Sequence, residues 1–249
     1  MEGSKDMRIF VTKNGPYVVT GGIPLSKQII ETNELGESWE WREGEVFEAG
    51  EVYKLCRCGH SATKPFCDNT HAVIGFDGTE TAERAPYLDQ AEVYQGPKLI
   101  LTDAEPLCAF ARFCDARGQV WNLVKEARPA ARELAEREAS YCPSGRLVAW
   151  RRSSGGGEGE GEAVEPRFEP SIGLVEDPHE GVSGPIWVRG GITIESSGGF
   201  VYERRNRVTL CRCGASESKP FCDGSHASIG FTDEAGGSSQ SNPSSGRSD

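Results

Sequence analysis

Cysteine and histidine recur in this chain at one fixed spacing. Cys56 and Cys58, one residue apart, are followed by Cys67 and His71, and Cys211 and Cys213 are followed in the same way by Cys222 and His226. Six of the nine cysteines and two of the four histidines fall into these two quartets. Three thiolates with one imidazole form a soft donor set suited to an iron-sulfur cluster or to zinc, and the imidazole adds a ligand that can be protonated near physiological pH. Structural zinc sites usually place roughly two to four residues between paired cysteines, so the single-residue gap here weighs toward iron and sulfide. A zinc-stapled structural or adaptor protein without redox activity is the alternative.

The words around the donors repeat as well. Leu55-Cys-Arg-Cys-Gly59 returns as Leu210-Cys-Arg-Cys-Gly214, and Lys64-Pro-Phe-Cys-Asp68 returns as Lys219-Pro-Phe-Cys-Asp223. Gly224 stands where a turn of positive φ or a close backbone approach favours glycine, and Asn69 is a tolerant replacement in the first copy. Asp68 and Asp223 are placed to cap a short helix carrying the histidine, while Thr70 and Ser225 offer a hydroxyl that could donate to sulfur. Cys222-Asp-Gly-Ser-His226, with its variant Cys67-Asp-Asn-Thr-His71, resembles the CDGSH iron-sulfur family. The resemblance implies a 2Fe-2S cluster in each copy, one iron held by Cys56 and Cys58 (or Cys211 and Cys213), the other by Cys67 and His71 (or Cys222 and His226). It also implies electron transfer, cluster transfer or redox sensing, with a redox or apo-protein acceptor as partner.

Each quartet belongs to a longer repeat. Gly15-Pro-Tyr-Val-Val-Thr-Gly-Gly-Ile-Pro-Leu25 matches Gly184-Pro-Ile-Trp-Val-Arg-Gly-Gly-Ile-Thr-Ile194, and His71-Ala-Val-Ile-Gly-Phe76 matches His226-Ala-Ser-Ile-Gly-Phe231. Short runs of Val, Ile and aromatics bounded by Gly and Pro predict strand, turn, strand, metal loop and strand in each copy. The residues around Glu31 to Trp41, an insertion specific to the first copy, predict a surface loop or an extended hairpin. A repeat of ~60 residues buries little core alone. Chains of the resembled family with one motif form intertwined dimers, which implies a monomer here whose two repeats pair as an internal pseudo-dimer.

Between the repeats lies a compact unit rather than a linker. Lys98-Leu-Ile-Leu101 predicts a strand, a helical start follows near Asp103, and Pro129 to Ser140, rich in Ala, Arg, Glu and Leu after a proline, predicts a helix. Cys108, Cys114 and the Cys142-Pro143 pair give this segment a spacing that resembles divergent single-cluster ferredoxin domains. Three thiolates would suffice for a 3Fe-4S cluster, whereas a 4Fe-4S cluster needs a fourth ligand; the competing reading makes Cys108 and Cys114 small buried residues on a helix and Cys142 a packed or reactive thiol. The expected class is α+β and β-rich: a CDGSH-type repeat over 1–87, a ferredoxin-like middle domain over 88–152, a flexible Gly/Glu linker over 153–166, a second repeat over 167–234 and a disordered Gly/Ser tail over 235–249.

Composition narrows the function. With 37% hydrophobic and 26% charged residues the chain has ordinary globular character, and no stretch approaches the ~20 apolar residues of a membrane helix. A formal net charge of −11 argues against a nucleic-acid surface. Cysteines at metal-ligand spacings point to a reducing compartment, and with no targeting pattern at the N-terminus the expected location is the cytoplasm. No Ser-His-Asp arrangement, phosphate loop or dinucleotide fingerprint is present, so no enzyme activity is expected.

Overall fold

Short β-forming runs punctuated by Gly and Pro become strands along both repeats of the computed structural model, which describes residues 6–152 and 161–233. The first repeat contains β1 (Arg8–Val11), β2 (Tyr17–Thr20), β3 (Leu25–Thr32), β4 (Ser38–Phe47), β5 (Val52–Leu55) and a one-turn helix α1 (Thr70–Val73). The middle segment contributes α2 (Tyr87–Gln90), β6 (Glu92–Gln95), β7 (Leu99–Asp103), α3 (Val120–Leu123), α4 (Pro129–Tyr141), β8 (Leu147–Arg152) and β9 (Gly161–Ala163). The second repeat contains β10 (Ser171–Asp177), β11 (Val182–Arg189), β12 (Thr193–Glu195), β13 (Arg207–Leu210) and the one-turn helix α5 (Ser225–Ser228).

The two repeats exchange strands. One sheet has the order β12-β1-β2-β5 and the other β13-β11-β10-β3-β4, so the strand after the Gly-Gly turn crosses in each case to the other repeat's sheet. Both crossings are parallel pairs, Ile9 opposite Ile194 and Ile172 opposite Leu25. All other neighbours in these two sheets are antiparallel. Ile9, Val19, Leu25, Ile172, Ile186 and Ile194 meet in one core shared by both repeats, which solves the burial problem of a ~60-residue unit without a second chain. The insertion of the first repeat is the β3–β4 hairpin, closed by the Asn33 side chain, which accepts hydrogen bonds from the backbone N–H groups of Leu35 and Glu37. Its outer strand extends the edge of the second sheet.

The middle segment is a sheet β6-β7-β8-β9 covered by α4, which packs Ala131, Ala135 and Ala139 onto Leu99, Leu101 and Leu147. Alanines at intervals of four leave a flat stripe that lets helix and sheet approach closely. Residues 161–163 of the expected flexible linker instead form β9, because backbone pairing with Trp150 to Arg152 overrides the low propensity of a Gly/Glu run. The rest of that run, 153–160, and the expected disordered tail lie outside the described residues. Among the described residues no helix is long and apolar enough to cross a membrane.

The strand expected after each metal loop does not form. His71 and His226 instead sit in α1 and α5, and the chain turns away through Gly75 and Gly230, both at positive φ.

Candidate metal centres

Both Cys/His loops are built on one plan. β5 delivers Cys56 and β13 delivers Cys211, each at the end of a strand whose neighbour is the repeat's second strand. The loop then folds back so that Cys56 N–H donates to Pro65 O at 2.8 Å and Cys67 N–H to Lys54 O at 2.9 Å; Cys211 to Pro220 and Cys222 to Thr209 repeat this at 2.8 and 3.0 Å. Lys64–Pro65 and Lys219–Pro220 are both cis peptides. Ser61 and Ser216 close the loops by donating to the carbonyls of Phe66 and Phe221.

Asn69 and Gly224 adopt the left-handed conformation, φ 72° and 87°, at the N-cap of the one-turn helices, as expected for these residue types. The aspartates act from one position earlier. Asp68 accepts from the N–H groups of Ala62 and Thr70, and Asp223 from those of Glu217 and Ser225. These bonds hold the Asp68 carboxyl well below the usual carboxylate range, the Ala62 N–H contributing most. The Ser225 hydroxyl donates to Asp223 at 2.6 Å rather than to sulfur. The donors to sulfur are instead the backbone N–H groups of Asn69 and Gly224, each 3.4 Å from the thiol two residues earlier. The nearby carboxylate, a stronger acceptor than a thiol, explains the difference.

Within each quartet the donors fall into pairs. Sγ of Cys56 and Cys58 are 3.8 Å apart, as are those of Cys211 and Cys213, while Cys67 Sγ to His71 Nδ1 and Cys222 Sγ to His226 Nδ1 are both 3.4 Å. Two thiolates about 2.3 Å from one tetrahedral metal lie about 3.8 Å apart, so each pair is spaced to share one metal. Among the described residues no group of three or more His, Cys, Asp or Glu side chains is placed to hold one ion together. Soft donors at these spacings fit a metal on each pair, with Nδ1 as the imidazole donor.

Burial first, and then the neighbouring cysteines, push these thiols toward their neutral forms: Cys58 up to about 11, Cys67 upward, and Cys222 well above the thiol range. The hydrogen bond between Cys211 and Cys213 draws Cys211 down to about 7 and raises Cys213. A coordinated cation reverses this and deprotonates the thiols outright. Burial, then the Arg212 charge, lowers His226 to about 4.

The residue inside each Cys-x-Cys escaped the reading of the sequence. Arg57 and Arg212 are almost fully buried and aim away from the donors, Arg57 at the carbonyls of Thr12 and Gly78, Arg212 at those of Gly184 and Val175 and at Glu176 and Asp233. Arg57 ties its cysteine pair to the chain just after β1 and beyond α1, and Arg212 ties its pair to β10 and β11. Their presence in both copies was the available signal. His60 and His179, by contrast, are exposed, and His60 Nδ1 lies 2.7 Å from the Cys58 carbonyl.

The two centres stand back to back. Gly59 and Gly214 follow the paired cysteines at positive φ, and a Cβ on Gly59 would lie 2.4 Å from Cys213 O, one on Gly214 2.5 Å from Cys58 O. Only glycine permits this approach. Tyr17 of the first repeat reaches across to donate to Cys211 O at 2.9 Å.

In the middle domain Cys108, Cys114 and Cys142 line one small cavity with Arg146, which forms an ion pair with buried Asp103. Neither Cys108 nor Cys114 lies on an α-helix; both belong to short 3-10 turns or their ends. Cys142 follows α4, where buried Arg207 of the second repeat donates to the carbonyls of Ala139 and Cys142 at 2.7 Å each, satisfying the helix C-terminus. Burial raises the Cys114 thiol strongly. Three soft donors around one cavity fit a cluster held by three cysteines.

The family model described as iron-binding zinc finger, CDGSH type, matches residues 14–72 and 183–227, and the model for a divergent 4Fe-4S mono-cluster matches residues 94–152 between them. Two CDGSH-type segments thus flank a divergent mono-cluster segment, and together they support an iron-sulfur protein. Comparison with curated proteins and with solved structures gives no match.

Proposed function

We propose that each CDGSH-type domain holds a 2Fe-2S cluster on three cysteines and one histidine, and that the chain passes electrons or clusters to a protein acceptor. The observation that carries this reading is the pairing of donors at 3.8 and 3.4 Å in both quartets, with no three of them placed around one ion. A mononuclear zinc site would bring all four donors to one point. When bound, a 2Fe-2S cluster supplies a one-electron couple.

The chain's own residues set the conditions for that couple. The N–H groups of Asn69 and Gly224 point at sulfur and favour the more negative state. Arg57 and Arg212 anchor the paired cysteines. Cys67 and His71 are half-buried, open enough for an acceptor to approach within electron- or cluster-exchange range. Cys108, Cys114 and Cys142 would hold a third cluster, of the 3Fe-4S type or of the 4Fe-4S type completed by a ligand other than cysteine. The reading assigns no substrate chemistry, and it places the chain in the cytoplasm as a monomer whose exchanged strands replace a dimer partner.

Iron and acid-labile sulfide assayed on anaerobically purified protein test it. Equal iron and sulfide from the two outer sites, with the rhombic signal of a reduced 2Fe-2S centre in electron paramagnetic resonance, is the expected result. Zinc without sulfide would leave the stapled adaptor instead. Replacing His71 and His226 by Cys tests the coupling of potential or cluster loss to pH; an unchanged pH response removes that part of the reading.

A further inference from the structure

The two CDGSH-type centres share a plan but not an environment. Cys222 and His226 are buried, at 2% and 4% exposure, whereas Cys67 and His71 are half-buried and Asn69 is exposed. Part of the middle domain stands over the second centre. Its segment 108–112 lies over the left-handed turn of the second centre: the position a Cβ would take on Gly224 is 3.2 Å from Phe110 Cβ, 3.5 Å from Cys108 O and 3.9 Å from Phe110 N. Asparagine fits at the matching position of the first centre because nothing comparable stands over it among the described residues. Cys108 is also close enough to bear electrostatically on the Cys222 thiol.

The segment is held in place against its own conformational preference. Phe110 and Arg112 both have positive φ, 54° and 63°, a region that side chains other than Gly, Asn and Asp rarely occupy. Arg112 fastens it to the second repeat through ion pairs with Asp177, which is buried, and Glu180. On the other side Phe113 packs into the aromatic group of Trp41, Trp187 and Tyr141. A second strap crosses the same metal loop, where Thr81 and Ala82 donate backbone N–H groups to Lys219 O at 2.8 and 3.0 Å.

We propose that segment 108–112 is a cover that closes the second CDGSH centre, so that iron and sulfide exchange with the surroundings through the first centre while the second retains its cluster. This deepens the function proposed above and rests on it.

The experiment uses the full chain in two single-centre forms, both carrying Cys142→Ser to remove the middle cluster, with Cys222→Ser keeping the first centre and Cys67→Ser keeping the second. Loss of the visible cluster absorption to excess ferrous chelator is followed in each. The first centre is expected to lose its cluster about tenfold faster or more, since release from the second needs a local opening of the cover. Adding Phe110→Ala with Arg112→Ala to the Cys67→Ser chain should bring its rate up to that of the first centre, and the same pair of changes in the Cys222→Ser chain should alter nothing. Asp177→Asn, which loosens the fastening from the other side, should act in the same direction and guards against a folding defect in the first pair. Equal rates at the two centres, or a second-centre rate indifferent to both sets of changes, would overturn the cover. A chain that carries zinc and no sulfide shows no absorption to follow, and that outcome sinks the underlying cluster reading rather than the cover alone.

Discussion

The first and second metal loops match residue for residue in their donors, their cis prolines and their carboxylate-bound turns, yet one is half-open and the other is sealed. The local loop is therefore a self-contained device, fixed by about twenty residues, while its exposure belongs to whatever packs on top. The Asn69/Gly224 difference marks that boundary. An asparagine side chain needs room above the turn, and the room exists at one centre and not at the other.

The largest effects should come where the two centres are alike. Gly59→Ala and Gly214→Ala each place a Cβ about 2.5 Å from the carbonyl of the opposite Cys-x-Cys in a backbone conformation that disfavours any side chain. Each should cost roughly 3 kcal/mol, read as a loss of stability in chemical denaturation of the cluster-loaded chain. Unequal penalties would break the back-to-back symmetry. Next come the reciprocal swaps at the turn. Gly224→Asn should cost about 1–3 kcal/mol by overpacking against Phe110, whereas Asn69→Gly should shift the same denaturation midpoint by less than about 0.5 kcal/mol equivalent. Similar costs would mean that the cover does not press on the turn.

Tyr17→Phe removes a buried donor to Cys211 O that has no counterpart in the second repeat, where Ile186 stands at the matching position. A loss of about 1 kcal/mol is expected, with the second centre's rate of iron loss rising more than the first's. The last prediction is a pH slope rather than a substitution penalty. Glu138 is buried in α4 with neither carboxylate oxygen hydrogen-bonded among the described residues, and burial pushes its pKa up to about 9. Its folded pKa lies above the unfolded value, so the native state keeps a proton that the unfolded chain has lost, and stability should fall as pH rises from about 4.5 toward 9. Glu138→Gln should flatten that slope in thermal melts at several pH values.

Much of the candidate site was legible in one dimension because ligation is local. Donor types at short fixed intervals restrict the loop to a few geometries, and the doubled Cys-Arg-Cys-Gly and Lys-Pro-Phe-Cys-Asp words left little freedom. The α4 helix was equally plain from Pro129 and the alanine-rich run. The missed strand after each metal loop has a simple cause: Ile-Gly-Phe reads as β, but the residues before it are committed to the one-turn helix that aims the histidine. The roles of Arg57, Arg212 and Arg207 were hidden because a buried arginine is defined by distant carbonyls.

The sequence alone set out two matched quartets of three cysteines and one histidine, at intervals short enough for the members of each pair to meet whatever the rest of the fold does. Tertiary structure decided that the repeats trade strands, that their centres touch through two glycines, and that the middle domain closes one of them. Those outcomes depend on contacts between residues more than a hundred positions apart, where packing and burial, rather than chain geometry, select the arrangement.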